Sequence, residues 1–127
     1  MQRYARILLA GAALSAMLGS AQADQLLGTY VARISDNDHH ASDGYKLDTA
    51  AQMVRQDRAN WHKFGRGDRE DQDDPWFGST SARANFEKML TKGSAMNQAT
   101  RRAIVSGEPV VEVQVYRQSV RVRIVGY

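Results

Sequence analysis

The segment SDNDHHASDG, Ser35 to Gly44, packs three aspartates and two adjacent histidines into ten residues. Imidazole nitrogens and carboxylates are good ligands for zinc-like ions, and the same pair of groups can carry general acid–base chemistry. A third histidine, His62, precedes a second acidic stretch containing Asp68, Glu70, Asp71, Asp73 and Asp74. If the two segments meet, a histidine of the first loop, His62 and one carboxylate complete a divalent-metal site. The candidate ligands are Asp36, Asp38, His39, His40 and His62. On extended chain, neighbouring side chains point to opposite sides, so one of His39 and His40 serves a given ion. The simpler reading needs no metal. Asp, Asn, Ser and Gly are turn builders, and a cationic His62 at a helix C-terminus is favourable by itself. The favoured expectation is a solvated turn and no cofactor, with a divalent metal as the alternative.

Several site chemistries fail on spacing. An EF-hand loop begun at Asp36 would need an acid at its fifth position, Gly at its sixth and Glu at its twelfth; those positions hold His40, Ala41 and Leu47. The triplet Asp38-His39-His40, after an expected strand, resembles the Asp-His-His signature of a phosphoesterase superfamily. The likeness covers three residues, and the further aspartate motifs of those enzymes are not found in this chain. No serine stands in a Gly-x-Ser-x-Gly setting. The chain has no cysteine, which rules out thiol catalysis, iron–sulfur clusters and cysteine-rich zinc sites.

A second constellation suits recognition. In RQDRANWHKFG, Arg55 and Arg58 lie one helical step apart beside Trp61. Arginines grip carboxylates or phosphates and an aromatic anchors the contact. Trp76 follows a proline and either plugs the core or faces a partner. Tyr116, Arg121 and Arg123 belong to a polar strand face. The expected contact surface is therefore Arg55, Arg58, Trp61, Trp76, Tyr116, Arg121 and Arg123.

The elements that would carry these residues are legible from periodicity. Leu26 to Ile34 is rich in strand formers, with Leu26, Gly28, Tyr30, Ala32 and Ile34 on one side. Leu47, Ala50, Ala51, Val54, Trp61 and Phe64 follow one helical stripe, which Gln56, Asp57, Arg58 and Asn60 interrupt. Thr49 with Gln52 fits a capping box, and Gly65 suits a helix stop. Ser79 or Ser81 opens a second helix, and Ser94 a third that ends at Gly107. The C-terminal PVVEVQVYRQSVRVRIVGY alternates strictly and reads as a hairpin. Pairing Val115 with Val122 and Val113 with Ile124 keeps the valines on one face and puts Gln118-Ser119 at the tip. A lone hairpin is marginal in water and needs a third strand, for which Leu26 to Ile34 is the candidate. The expected fold is α+β: a small three-stranded antiparallel sheet, one N-terminal strand plus the C-terminal hairpin, packed against about three helices in the order β-α-α-α-β-β.

Residues 1–23 read as a secretory signal peptide. Arg3 and Arg6 precede a dozen apolar residues, and Ala21-Gln22-Ala23 is a cleavage pattern. The apolar run is well short of the roughly 20 residues that span a bilayer. Residues 24–127 then form a single domain, with no membrane span, destined for the periplasm or the exterior. The whole chain carries a net charge of +3, but without Arg3 and Arg6 it holds 15 basic and 14 acidic residues. Residues 24–77 carry 7 basic and 11 acidic groups, and residues 78–127 carry 8 and 3. Either the halves attract each other, or the second presents a basic face to an anionic partner. There is no strong nucleic-acid signal. The expectation is a small exported non-enzymatic binding or accessory module, its partner an unknown protein or anionic envelope component. The alternative is a metal-dependent hydrolase, phosphoesterase- or nuclease-like, using the 35–44 loop and His62.

Overall fold

A computed structural model describes residues 24–127. The expected signal peptide lies outside the described residues. Strand β1 (Leu26–Arg33) is followed by a 3-10 turn (Asp36–His39) and helices α1 (Ala50–Phe64), α2 (Thr80–Leu90) and α3 (Gln98–Ser106). Strands β2 (Val110–Tyr116) and β3 (Val120–Gly126) close the chain. The three strands form one antiparallel sheet in the order β1-β2-β3, the expected α+β arrangement.

Alternation decides which face is buried. Tyr30 and Ala32 of β1, Val111, Val113 and Val115 of β2, and Val120 and Val122 of β3 share the inner face. They meet Met53 and Val54 of α1, Phe86 and Leu90 of α2, and Ile104 of α3 in one core. A bulge between Leu26 and Gly28 breaks the alternation at the start of β1, so Leu26 is exposed rather than inward as its parity suggested.

The hairpin register differs from the sequence expectation by two residues. Val115 faces Val120, Val113 faces Val122 and Val111 faces Ile124. A two-residue shift leaves every side chain on the same face, so hydrophobic patterning cannot distinguish the two registers. The turn distinguishes them. Arg117-Gln118 forms the tip, with Tyr116 N–H donating to Ser119 O at 2.9 Å. Asp24 clamps that tip from the far end of the domain, accepting from Gln118 N–H at 2.9 Å and from the Ser119 hydroxyl at 2.5 Å. In this register Arg123 lies directly opposite Glu112 and pairs with it at 2.9 Å.

Helix ends follow local chemistry. Thr49 and Gln52 make the reciprocal cap of α1, and Gly65, at φ 63°, ends it with Arg66 N–H donating to Asn60 O at 2.8 Å. Ser79 caps α2. The cap of α3 is Asn97, not Ser94. The residues before it serve the sheet instead: Ala95 O accepts Val122 N–H at 2.7 Å along β3. The opposite edge is covered by the acidic loop. Gln72 exchanges main-chain and side-chain hydrogen bonds with Val31, and Asp71 accepts Arg33 N–H at 2.8 Å. Both edges thus find partners within the chain, which blunts edge-to-edge association.

Candidate functional site

Three of the four polar residues that interrupt the α1 stripe, Asp57, Arg58 and Asn60, are buried. Arg58 is fully buried. Its Nε donates to Asp57 Oδ2 at 2.8 Å, and its Nη1 to Asp74 Oδ2 at 2.9 Å and Gln72 O at 2.8 Å. The guanidinium lies 4.2 Å from the Tyr30 ring centroid and 5.5 Å from that of Trp61. Asp74 accepts four donors: Arg58, His62 Nε2 at 2.7 Å, and the N–H groups of Trp76 at 2.8 Å and Phe77 at 2.7 Å. This cluster bolts the acidic loop to α1. The expectation that Arg58 belongs to a contact surface is therefore corrected: it is a core cation, inaccessible to a partner. A signal for this was present in the sequence. Arg58 occupies the gap in the apolar stripe between Val54 and Trp61, where a core residue belongs.

The two tryptophans are likewise engaged inside the fold. Trp61 is half-buried, donates to Asp73 Oδ1 at 2.8 Å, and lies so close over Gly67 that a Cβ there would sit 2.5 Å from its ring. Trp76 is half-buried against the core and covers Gly28, where a Cβ would meet its ring at 2.7 Å. Neither stands free as an aromatic anchor. Arg55 pairs with Glu87 of α2 at 3.1 Å. Tyr116, Arg121 and Arg123 do lie on the outer sheet face, with the Arg121 guanidinium 5.6 Å from the Tyr116 ring centroid.

The expected metal ligands are not brought together. His39 is held by two carbonyls, Nδ1 at 2.7 Å from Ser35 O and Nε2 at 2.8 Å from Ile104 O, and so ties the 3-10 turn to α3. His40 Nδ1 is 3.2 Å from Asp36 O, and His62 is committed to Asp74. Asp36 is exposed, and its main-chain N–H donates to Glu108 Oε1 at 2.8 Å. Asp38 is buried, accepting from Ser35 N–H and Asn60 Nδ2, each at 2.9 Å. Among the described residues, the carboxylates that converge are Asp38, Asp57 and Asp68, with ligand atoms within 4.8 Å of one another and no histidine among them.

Electrostatics separates these acids. Burial pushes the Asp38 carboxyl up to about 6, against the hydrogen bonds from Asn60 and Ser35. Burial raises Asp57 well above the ordinary range despite Arg58, and raises Asp68 too. Burial also acts on Asp74, but His62, Arg58 and two main-chain donors outweigh it and hold that carboxyl low. Asp57 and Asp74 share one guanidinium and move in opposite directions because Asp74 gathers four donors where Asp57 has Arg58 alone.

The raised carboxyls predict that stability falls as pH rises out of mild acid. A carboxyl raised in the folded state contributes stability that is complete below about pH 4 and lost as pH rises through about 6 for Asp38. Asp74, held low, contributes above about pH 4 and loses its contribution as pH falls. The urea midpoint should be higher at pH 5 than at pH 8. Asp38 alone accounts for about 1.4 kcal/mol of that decline, the rest of its contribution being lost already between about pH 4 and pH 5. A midpoint that rises steadily from pH 5 to pH 8 contradicts this assignment.

Comparison with protein-family models, curated proteins and solved structures finds no match for this chain.

Proposed function

We propose that this protein is a small exported, non-enzymatic binding module. Its outer sheet face takes an anionic polymer of the bacterial cell envelope. The observation that carries this reading is the fate of the charges. Of six ion pairs among the described residues, one, Arg55–Glu87, joins residues 24–77 to residues 78–127. The acids of the first half that form ion pairs, Asp57, Glu70 and Asp74, do so with its own cations, Arg33, Arg58 and His62. The basic excess of the second half stays uncompensated. Arg117 and Arg121 are exposed with no carboxylate at ion-pair distance among the described residues, and the Arg123 side chain is 66% exposed despite Glu112. Arg121 and Arg123 project from the same face about 7 Å apart, a spacing suited to repeating charges. A polyanion fits this surface better than a folded protein partner, because the two tryptophans, the strongest hot-spot anchors, are engaged inside the fold.

The test is fluorescence anisotropy with labelled dextran sulfate and labelled polyglutamate at low ionic strength. Binding should weaken steeply with salt, and Arg121→Gln with Arg123→Gln should weaken it at least tenfold. No binding to either polymer at 20 mM salt, or binding indifferent to the double variant, sinks the proposal. Export is checked by recovering the protein from a periplasmic fraction and sequencing its N-terminus, expected to be Asp24.

A further inference from the structure

Arg83, in the first turn of α2, is 4% exposed, yet no carboxylate lies within ion-pair distance of it among the described residues. Its Nη1 donates to Phe77 O at 3.0 Å and its Nη2 reaches Thr80 Oγ1 at 3.4 Å, so neutral oxygens are its partners. Arg58 shows what the fold does elsewhere: it is the other buried arginine among the described residues, and two aspartates flank it. A buried cation without a counter-ion is costly. Burial and the like charge of Arg55 both disfavour the cationic form of Arg83. The natural partner is present and otherwise employed. Glu87 lies four residues on, at helical pairing distance, but its carboxylate is bound to Arg55.

Arg83 opens onto a groove of about 410 Å³ between α1, α2 and the 41–43 loop. Arg55 and Lys63 also line it, against the carboxylates of Asp43 and Glu87, which leaves a positive balance. The volume suits a small molecule, and the N-terminal end of α2 adds a favourable field for negative charge. We propose that this groove binds the oxyanion group, phosphate or carboxylate, of a small ligand, with Arg83 as the counter-charge at its base. Both groups accept paired N–H donors from a guanidinium. The groove lies between helices, away from Arg121 and Arg123 on the outer sheet face, so it stands or falls independently of polyanion binding.

The experiment is an amide-shift NMR titration of the protein with inorganic phosphate and, separately, acetate, at constant ionic strength held with chloride. A saturable response centred on Thr80 to Arg83, Arg55 and Lys63 is expected with at least one of them; the stronger identifies a phosphoryl or a carboxylate ligand. Arg83→Met should weaken it at least tenfold. Should that variant not fold, Lys63→Gln at the rim and Glu87→Gln serve instead. The first should weaken binding severalfold, and the second should tighten it by removing the competing carboxylate. Absence of saturation with both anions, shifts confined to Arg117, Arg121 and Arg123, or affinity unchanged in the lysine and glutamate variants overturns the proposal.

Discussion

Arg58→Ala is expected to destabilise the domain by about 3–5 kcal/mol, because it leaves the two aspartates it bridges buried without their cation. Loss of the Tyr30 contact adds to this. A domain of this size commonly has about 5–15 kcal/mol in total, and each kcal/mol is worth roughly 4–8 °C in Tm. The variant should therefore melt about 12–40 °C lower. Two aspartate variants separate the partners. Asp74→Asn can keep an oxygen for the Trp76 and Phe77 N–H groups but removes the charge and turns an NH2 toward Arg58 and His62, and should cost several times more than Asp57→Asn, which removes a charge that burial already disfavours. Urea denaturation of the three variants checks this. An Arg58→Ala protein within about 1 kcal/mol of the parent contradicts the clamp.

Phe86→Ala should cost a similar amount, about 3–5 kcal/mol, by a different mechanism. Phe86 is fully buried and stacks on Phe77 with ring centroids 3.9 Å apart, and Phe77 in turn meets the edge of Tyr30 at 6.2 Å. This aromatic column joins α2 to the end of the acidic loop and to β1. Truncation at its base leaves a cavity that rigid neighbours cannot close. Phe86→Leu keeps most of the volume and should cost less than half as much. Denaturation midpoints of the pair provide the measurement, and equal losses would falsify the cavity argument.

The clamp and the column together explain why the strongest chemical signals along the chain serve architecture. The acidic loop lies along β1 through Gln72 and Asp71, is bolted to α1 through Asp74 and enters the core through Phe77. His39 and His62 are each committed to neighbouring oxygens in the same framework. On the sheet side Arg117, Arg121 and Arg123 face outward. Arg83 is the exception, buried and basic without an acidic partner.

Periodicity by itself determined the strands, the three helices, the inward valines and the capping box at Thr49, because these depend on neighbours within a few residues. It also determined the two-residue ambiguity of the hairpin, since alternation has a period of two and cannot count beyond parity. Only the tertiary structure chose the register, through a carboxylate at Asp24 that reaches Gln118 and Ser119 across the whole chain. Only it separated the histidines and gathered Asp38, Asp57 and Asp68. Only it decided that Arg58 is a core residue while Arg121 is a surface one. Composition counts both as the same cation; their difference is burial and the charges that burial collects, and those come from segments far apart in the chain.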